Sequence, residues 1–400
     1  MGRKVLEIFC DGGFGNRYNS LVSGLALAEQ CGLEVKVHWP INESCGAGYH
    51  DIFETNQQIS DLKLSDLVGT LGNAYCLLHD TKGADALRVP FNSAYDYVSA
   101  EEFEKKVLSL YERVFYYPAI LPGWIDGSCI RQEVAKLKLR SELMQQAELF
   151  IRECLCEPFY GIHLRRTDLN VGLSDVEVQS LVIKFPSEVF FVCSDDPAAE
   201  AMATIQPNVR SRKKVSHVRR KNLEAGWQAP TEYDAGRVYF SNIRRGKDAT
   251  LEGVIDLLVL SQSQIVSFTG STFQSVARLI GEVNLLTELI KPVPISYSAV
   301  GDVKGMLQAG RLSLGQLLGV CEELVANDRT IDAIALLLEA LEREVGMSRF
   351  VILFNLGAYS MRINRFQGAM IYFRAALEIS PESTEAKDAY FRVAQQAFGR

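Results

Sequence analysis

The stretch "KVLEIFCDGGFGNRYNSLVSGLALAEQCGLEVKVHW", residues 4–39, decides the fold class. "KVLEIF" (4–9) has the length and apolar content of a strand, and "DGGFG" (11–15) is a glycine turn. "NRYNSLVSGLALAEQCG" (16–32) carries Leu21, Leu25 and Ala28 at helical spacing and stops at Gly32, a good C-cap. "LEVKVHW" (33–39) is extended again. Strand, helix and strand at this length form a βαβ unit, which implies a parallel sheet.

A second run of the same kind starts near residue 158. "FYGIHL" and "EVFFVCS" read as strands, and Pro197 opens a helix after the latter. "DATLEGVIDLLVLSQ" reads as a helix, "QIVSF" as a strand and "STFQSVARLIGEV" as another helix. Between the two runs the chain is less legible, although "SAEEFEKKVLSLYERV" from Ser99 has an N-cap and a helical pattern. In such sheets ligands bind beyond the carboxyl ends of the strands, and the glycine-rich and charged features all sit there.

The 400 residues, 48% of them hydrophobic, are enough for two or three cored domains. The longest apolar runs are too short to cross a bilayer. No cationic, apolar and small-residue sequence of a secretion signal is visible, so the expected location is the cytoplasm. A net charge of −7 argues against a general nucleic-acid binder. Nine scattered cysteines, with C-x-C at Cys154 and Cys156, read as reduced apolar fillers rather than metal ligands. One basic stretch, "RSRKKVSHVRRK" (210–221), reads as a solvated loop, with a cationic flap near an anionic substrate as the alternative.

After about residue 300 the pattern becomes purely helical. "FNLGAYSMRINRFQGAMIYFRAALEISPES" resembles the tetratricopeptide repeat through Leu356-Gly357, Ala369, Phe373, Ala376 and Pro381, with Ser360 at the usual tyrosine place. "TIDAIALLLEALE" matches "FQGAMIYFRAALE" at a 36-residue offset. So short an array buries its faces only against the preceding domain, another copy or a protein partner.

Two segments carry chemistry on their own. "DGGFGNRYN" (11–19) joins glycines at a strand end to a helix N-terminus, whose N–H groups and partial positive charge suit phosphate or a sugar hydroxyl. It lacks the Lys-Ser/Thr of a P-loop and the full G-x-G-x-x-G pattern. "YGIHLRRTDL" (160–169) drives a strand through the core and ends it in two arginines and an aspartate. Consecutive residues of an extended segment face opposite ways, so Arg165 and Arg166 have different tasks. One grips phosphate with its planar fork, while the other braces Asp168 or a neighbouring loop. In the Asp195-Asp196 pair, Asp195 reads as a cap on the helix after Pro197 or as a partner for an arginine; consecutive carboxylates leading into a proline do not make a D-x-D metal motif.

"GIHLRRTD" resembles the donor-binding motif of the α-1,6-fucosyltransferases, including the nodulation type. The glycine segment is similar to the loops of protein O-fucosyltransferases. "VFFVCSDDP" (189–197), "GVIDLLVLSQSQIVSFTGSTFQSVARLIGE" (253–282) and "HWPINESCGAGYHDIF" (38–53) resemble further family segments in order and spacing. The match touches most of residues 5–285. The resemblance implies a GT-B α/β fold: a Rossmann-like domain over 1–155 on the acceptor side, a second over 156–300 that binds the donor, and a tetratricopeptide-like region over 301–400. It implies an inverting transfer of fucose from GDP-fucose to a glycan acceptor, with no metal and no cofactor. Arg165 then meets the β-phosphate, while His163 and Asp256 read the nucleoside. Ser271, Thr272 and Phe273 line the diphosphate, and Gly13, Gly15 and Asn16 close the site. Arg166 and Asp195 complete the donor side.

The departures concern the base. Where some members have a lysine and a catalytic glutamate, this chain has Leu169 and Leu173. Asp168 is the nearest carboxylate that could take the acceptor proton, with Asp175, Asp11 and Glu43 behind it; Asp168 as a brace for the arginines is the competing role. Another GDP-sugar, or a scaffold whose transferase domain has decayed, stays open as an alternative.

Overall fold

A computed structural model describes residues 4–54, 59–63, 74–79, 89–95, 97, 99–155, 158–167, 173–227, 242–266, 271–283, 307, 314–326, 329–342 and 346–398. The expected α/β architecture is present, with two parallel sheets followed by a helical region. The first sheet contains β1 (Val5–Phe9), β2 (Glu34–His38), β3 (Ile59–Ser60), β4 (Ala74–Leu78), β5 (Phe91–Ser93) and β6 (Arg113–Tyr117). Its order is β3-β2-β1-β6-β4-β5, parallel throughout. The opening βαβ unit supplies β1, the helix α1 (Phe14–Cys31) and β2. Succession turns back at β1, with β2 on one side and β6 on the other, so the crevice of this sheet lies at the carboxyl end of β1. That end is the glycine turn.

The second sheet has the order β12-β7-β8-β9, again parallel. Its strands are β7 (Phe159–Leu164), β8 (Val189–Ser194), β9 (Val209–Arg210) and β12 (Gln264–Ile265). Every residue of β7 is buried, as expected of a central parallel strand covered on both faces. The strand succession reverses at β7, which brings Arg165 to the crevice of the second sheet. A short antiparallel ribbon pairs β10 (Arg219–Arg220) with β11 (Ile243–Arg244).

The remaining helices of this part are α2 (Tyr49–Ile52), α3 (Ala100–Phe103, continued by a π-turn), α4 (Gly127–Lys136), α5 (Ser141–Phe150), α6 (Asp175–Lys184), α7 (Pro197–Ala203), α8 (Lys247–Ser261) and α9 (Thr272–Val283). Ser99 caps α3 as its sequence suggests, accepting from the Glu102 N–H at 3.1 Å. One apolar core runs through both sheets, from Leu6, Leu21 and Trp39 to Phe159, Phe191, Leu257 and Ile280. The joint is made by α5 packing on α8 and α1 packing on α9. Met1–Val266 with Ser271–Pro294 accordingly form a single compact unit.

The second unit, from Ile295 onward, contains α10 (Leu314–Ala326), α11 (Thr330–Leu341), α12 (Gly346–Arg362), α13 (Phe366–Ile379) and α14 (Thr384–Phe398). Successive helices pack on one another. Ala369, Phe373 and Ala376 form the buried stripe of α13. Among the described residues no helix is long and apolar enough to cross a membrane, and no group of three or more metal-binding side chains is assembled.

Candidate functional site

The glycine turn is held by a buried arginine that sequence reasoning passed over. Gly12 has φ +82°, a region closed to most side chains. Its N–H donates to Asp11 Oδ1 at 2.6 Å, and Asn42 Nδ2 donates to the same oxygen at 2.7 Å. Arg17 is wholly buried. It donates to the carbonyls of Gly12 and Pro40, both at 2.8 Å, and to Asn42 Oδ1 at 3.0 Å, with its guanidinium 5.2 Å above the Trp39 ring. The turn and the loop after β2 are thereby one rigid piece. Gly13, the N-cap of α1, gives no side-chain cap, which leaves the first-turn N–H groups facing the crevice for a ligand.

At the end of β7 the two arginines part as alternation requires. Arg165 faces a cavity of about 240 Å³. Arg166 turns away: its guanidinium donates to the Leu173 carbonyl and pairs with Asp175 at 3.2 Å. His163, one turn of the pleat earlier, faces the cavity and stacks on Phe273 with ring centroids 4.5 Å apart. Phe273 belongs to the first turn of α9, whose Ser271 side chain accepts from the Phe273 N–H at 3.3 Å. The two helix starts touch. A methyl group on Gly15 would stand 3.0 to 3.1 Å from the backbone of Thr272 and Phe273.

Of the two roles read for Asp195, the helix cap falls to its neighbour and the arginine contact is kept through the backbone. Asp196, not Asp195, caps α7, accepting from the Ala198 N–H at 2.9 Å. Asp195 accepts from the backbone N–H of Arg166 at 2.7 Å and of Thr167 at 3.3 Å, and from the Thr167 hydroxyl. It holds the backbone of the arginine rather than its charge, and so fixes the direction in which Arg165 leaves the strand.

The basic stretch after β9 is not a solvated loop. The Arg212 and Lys214 side chains are buried against α8 and α7, although Val215, the next residue, is exposed. Arg212 donates to Asp256 Oδ1 at 2.9 Å and pairs with Glu252; Lys214 pairs with Asp256 Oδ2 at 2.7 Å and with Glu200. Glu252 and Asp256 lie one turn apart on α8, and this i, i+4 spacing is what draws the segment inward. Burial, with Asp256 nearby, pushes the Glu200 carboxyl up to about 7 despite Lys214. Burial alone would lower the Lys214 pKa, but Asp256 and Glu200 raise it. Burial and then Lys214 lower the pKa of His217.

The cavity gathers Gly13, Gly15 and Asn16 from the first sheet's crevice and His163, Arg165 and Asp195 from the ends of β7 and β8. Asp256 from α8 and Ser271, Thr272 and Phe273 at the start of α9 complete the sequence-expected set. Arg166 is not among the lining residues, and Asp168 lies outside the described residues. Asp11, Asp175 and Glu43, the other carboxylates considered as bases, also stand off the lining; Glu43 pairs with Lys221. Lys214, His217 and Arg245 also line the cavity; none was singled out by residue, although the first two belong to the stretch whose alternative reading was a cationic flap. The first two lie in a basic stretch whose pairing depends on α8, and nothing in the sequence around Arg245 announces a site.

No family model and no curated protein matches the chain. Among solved structures it is similar to the α-1,6-fucosyltransferase NodZ co-crystallized with GDP, at 14% identity over 70% of this chain and 93% of that one, TM-score 0.41. NodZ soaked with GDP-fucose aligns at 13% identity over 75% and 98%, TM-score 0.43; a NodZ structure from Bradyrhizobium gives 14%, 70% and 94%, TM-score 0.42. POFUT1 in complex with GDP-fucose aligns at 14% identity over 73% and 97%, TM-score 0.42.

Proposed function

We propose that the chain is a GT-B glycosyltransferase that moves a sugar, most concretely fucose, from a GDP-sugar to a hydroxyl of a glycan acceptor, with inversion and without a metal. The observation that carries this reading is the convergence of Arg165 with the starts of α1 and α9 on one cavity. An arginine and two helix N-termini are the protein groups that can neutralise a departing diphosphate. In the reaction the acceptor oxygen forms a bond to the anomeric carbon as the bond from that carbon to the β-phosphate oxygen breaks. The electron pair stays on the diphosphate, opposite Arg165, and the acceptor proton leaves to a base, for which Asp168 is the sequence candidate. The stacked His163 and Phe273 form a flat apolar wall suited to the nucleoside. Asp256 faces the same space, with both oxygens already engaged by Arg212 and Lys214. A carboxylate has further lone pairs, so it can still accept from the paired N–H groups of guanine. The helices of the second unit fit a tetratricopeptide-like appendage for a protein partner.

Calorimetric titration of GDP into the wild-type chain and Arg165→Ala tests the central assignment. Binding by the wild type and a loss of roughly a hundredfold in the variant are expected. Equal affinities would remove Arg165 from the donor site.

A further inference from the structure

Lys214 lines the cavity, yet its ammonium group is not placed to hold a phosphate. An ammonium has three N–H donors, and three acceptors already surround this one. The Ser194 carbonyl and Asp256 Oδ2 each lie at 2.7 Å, and Glu200 is the third. The side chains of Lys214 and Asp256 are 5% and 4% exposed, so water neither screens nor replaces these contacts. Each acceptor comes from a different element: Ser194 ends β8, Glu200 belongs to α7 and Asp256 to α8. Ser194 is itself fixed. Its N–H donates to Glu200 at 2.7 Å, and its hydroxyl donates at 2.8 Å to the carbonyl of Leu164, the residue before Arg165. Lys214 is therefore anchored to the rigid end of the second sheet.

What this anchor fixes is the Asp256 carboxylate, which lines the same cavity. Arg212 donates to its Oδ1 at 2.9 Å, and Lys214 holds its Oδ2. The Val215 N–H donates to Glu252 at 3.0 Å, which pins the segment carrying both cations along α8. A carboxylate gripped at both oxygens cannot turn about its own bond, and each oxygen keeps a further lone pair. Two acceptors side by side match the N1–H and the exocyclic amino group of guanine. Removing Lys214 leaves Asp256 and Glu200, which share that ammonium, with one cation fewer in a buried pocket. The Asp256 carboxylate then swings towards Arg212 or takes a proton, and a protonated carboxyl sets its own donor against those of guanine.

We propose that Lys214 is a positioning residue for base specificity: it holds the Asp256 carboxylate in the orientation that reads the guanine of the donor, and it does not itself bind the diphosphate. This rests on the donor reading above. The basic segment between β9 and β10 thus serves the nucleoside end of the cavity, while Arg165 serves the phosphate end.

GDP and inosine diphosphate, which keeps N1–H but lacks the exocyclic amino group, are titrated into the full chain as wild type, Arg165→Ala, Lys214→Met, Lys214→Gln, Asp256→Asn and Lys214→Met/Asp256→Asn. The wild type is expected to prefer GDP by roughly 10- to 100-fold, the worth of one hydrogen bond to a charged group. In both Lys214 variants the preference should narrow about tenfold. The double variant should show no further narrowing beyond Asp256→Asn, because Lys214 acts through Asp256. Glutamine keeps two N–H donors in the pocket, so a folding defect in the methionine variant does not leave the proposal unexamined. A preference kept within about twofold of wild type in the Lys214 variants overturns this inference, even where both nucleotides weaken together, because the residue then acts on the fold. Additive narrowing in the double variant overturns it as well. A wild type that binds both nucleotides alike, with Arg165→Ala impaired, overturns this inference and leaves the donor reading standing. Unaltered GDP binding in Arg165→Ala removes the donor reading and this inference together.

Discussion

Gly46→Ala tests whether the two halves of the site are held by close backbone contact. The new methyl group would lie 2.6 Å from the Arg245 carbonyl oxygen, 2.6 Å from Gly246 C and 2.7 Å from Lys247 N. Ordinary contact begins at 3.4 Å, so the gap must open by about 0.8 Å. All three neighbours are backbone atoms, and no side-chain rotation relieves the clash. Overpacking of this kind costs about 1–3 kcal/mol. Opening the gap also stretches the Arg245–Glu43 and Gly46–Thr250 hydrogen bonds, together worth about 1–2 kcal/mol. Alanine returns about 0.4–1 kcal/mol by restricting the unfolded chain. The net loss is about 1–5 kcal/mol, a fall in Tm of roughly 2–20 °C at ~2–4 °C per kcal/mol. Gly13→Ala is the control: it has φ −71° and nothing within 4 Å of the added carbon, so the unfolded-chain gain and the poorer N-cap leave it within about 1 kcal/mol of wild type. Scanning calorimetry of the two variants decides the matter, and a Gly46→Ala protein that melts with the wild type would refute the reasoning.

Two further outcomes follow from the buried charges behind the cavity. Asp256→Asn leaves Arg212 and Lys214 without their shared anion in a buried setting, and a loss of about 3–5 kcal/mol in urea unfolding is expected; an unchanged midpoint would show that the segment is held by other contacts. Glu200 gives a pH signature. Its folded pKa of about 7 lies above the ordinary 4.5, so the folded state holds this proton more tightly than the unfolded chain. Its contribution to stability therefore falls as pH rises from about 4.5 to about 7 and is constant beyond. Glu200→Gln should flatten that part of the stability profile, and a variant with the wild-type difference between pH 5 and pH 8 would contradict the assignment.

Much of the scaffold was legible because it rests on local rules. The βαβ period placed β1, α1 and β2 within a residue or two, and Gly32 ends α1 in the left-handed conformation at φ 63°. Alternation along an extended strand separated Arg165 from Arg166 before any coordinates. The same rules failed on "RSRKKVSHVRRK", since local composition favours water for such a run, whereas Glu252 and Asp256, about forty positions later, offered buried partners. The helix cap read as one alternative for Asp195 falls to Asp196 for a similar reason. Which of two adjacent carboxylates caps α7 depends on where Arg166 and Thr167 place their N–H groups.

Sequence by itself determined the parallel α/β class, the helical region after residue 300 and the glycine turn and arginine strand as the places where chemistry would sit. These follow from periodicity and from the backbone freedom of glycine, which act over a few residues. Only the tertiary structure decided that Arg17 braces the turn, that Lys214 pairs with two carboxylates and that Arg245 lines the cavity while Arg166 does not. Burial and charge pairing depend on distances between segments far apart in the chain, and no local pattern records them.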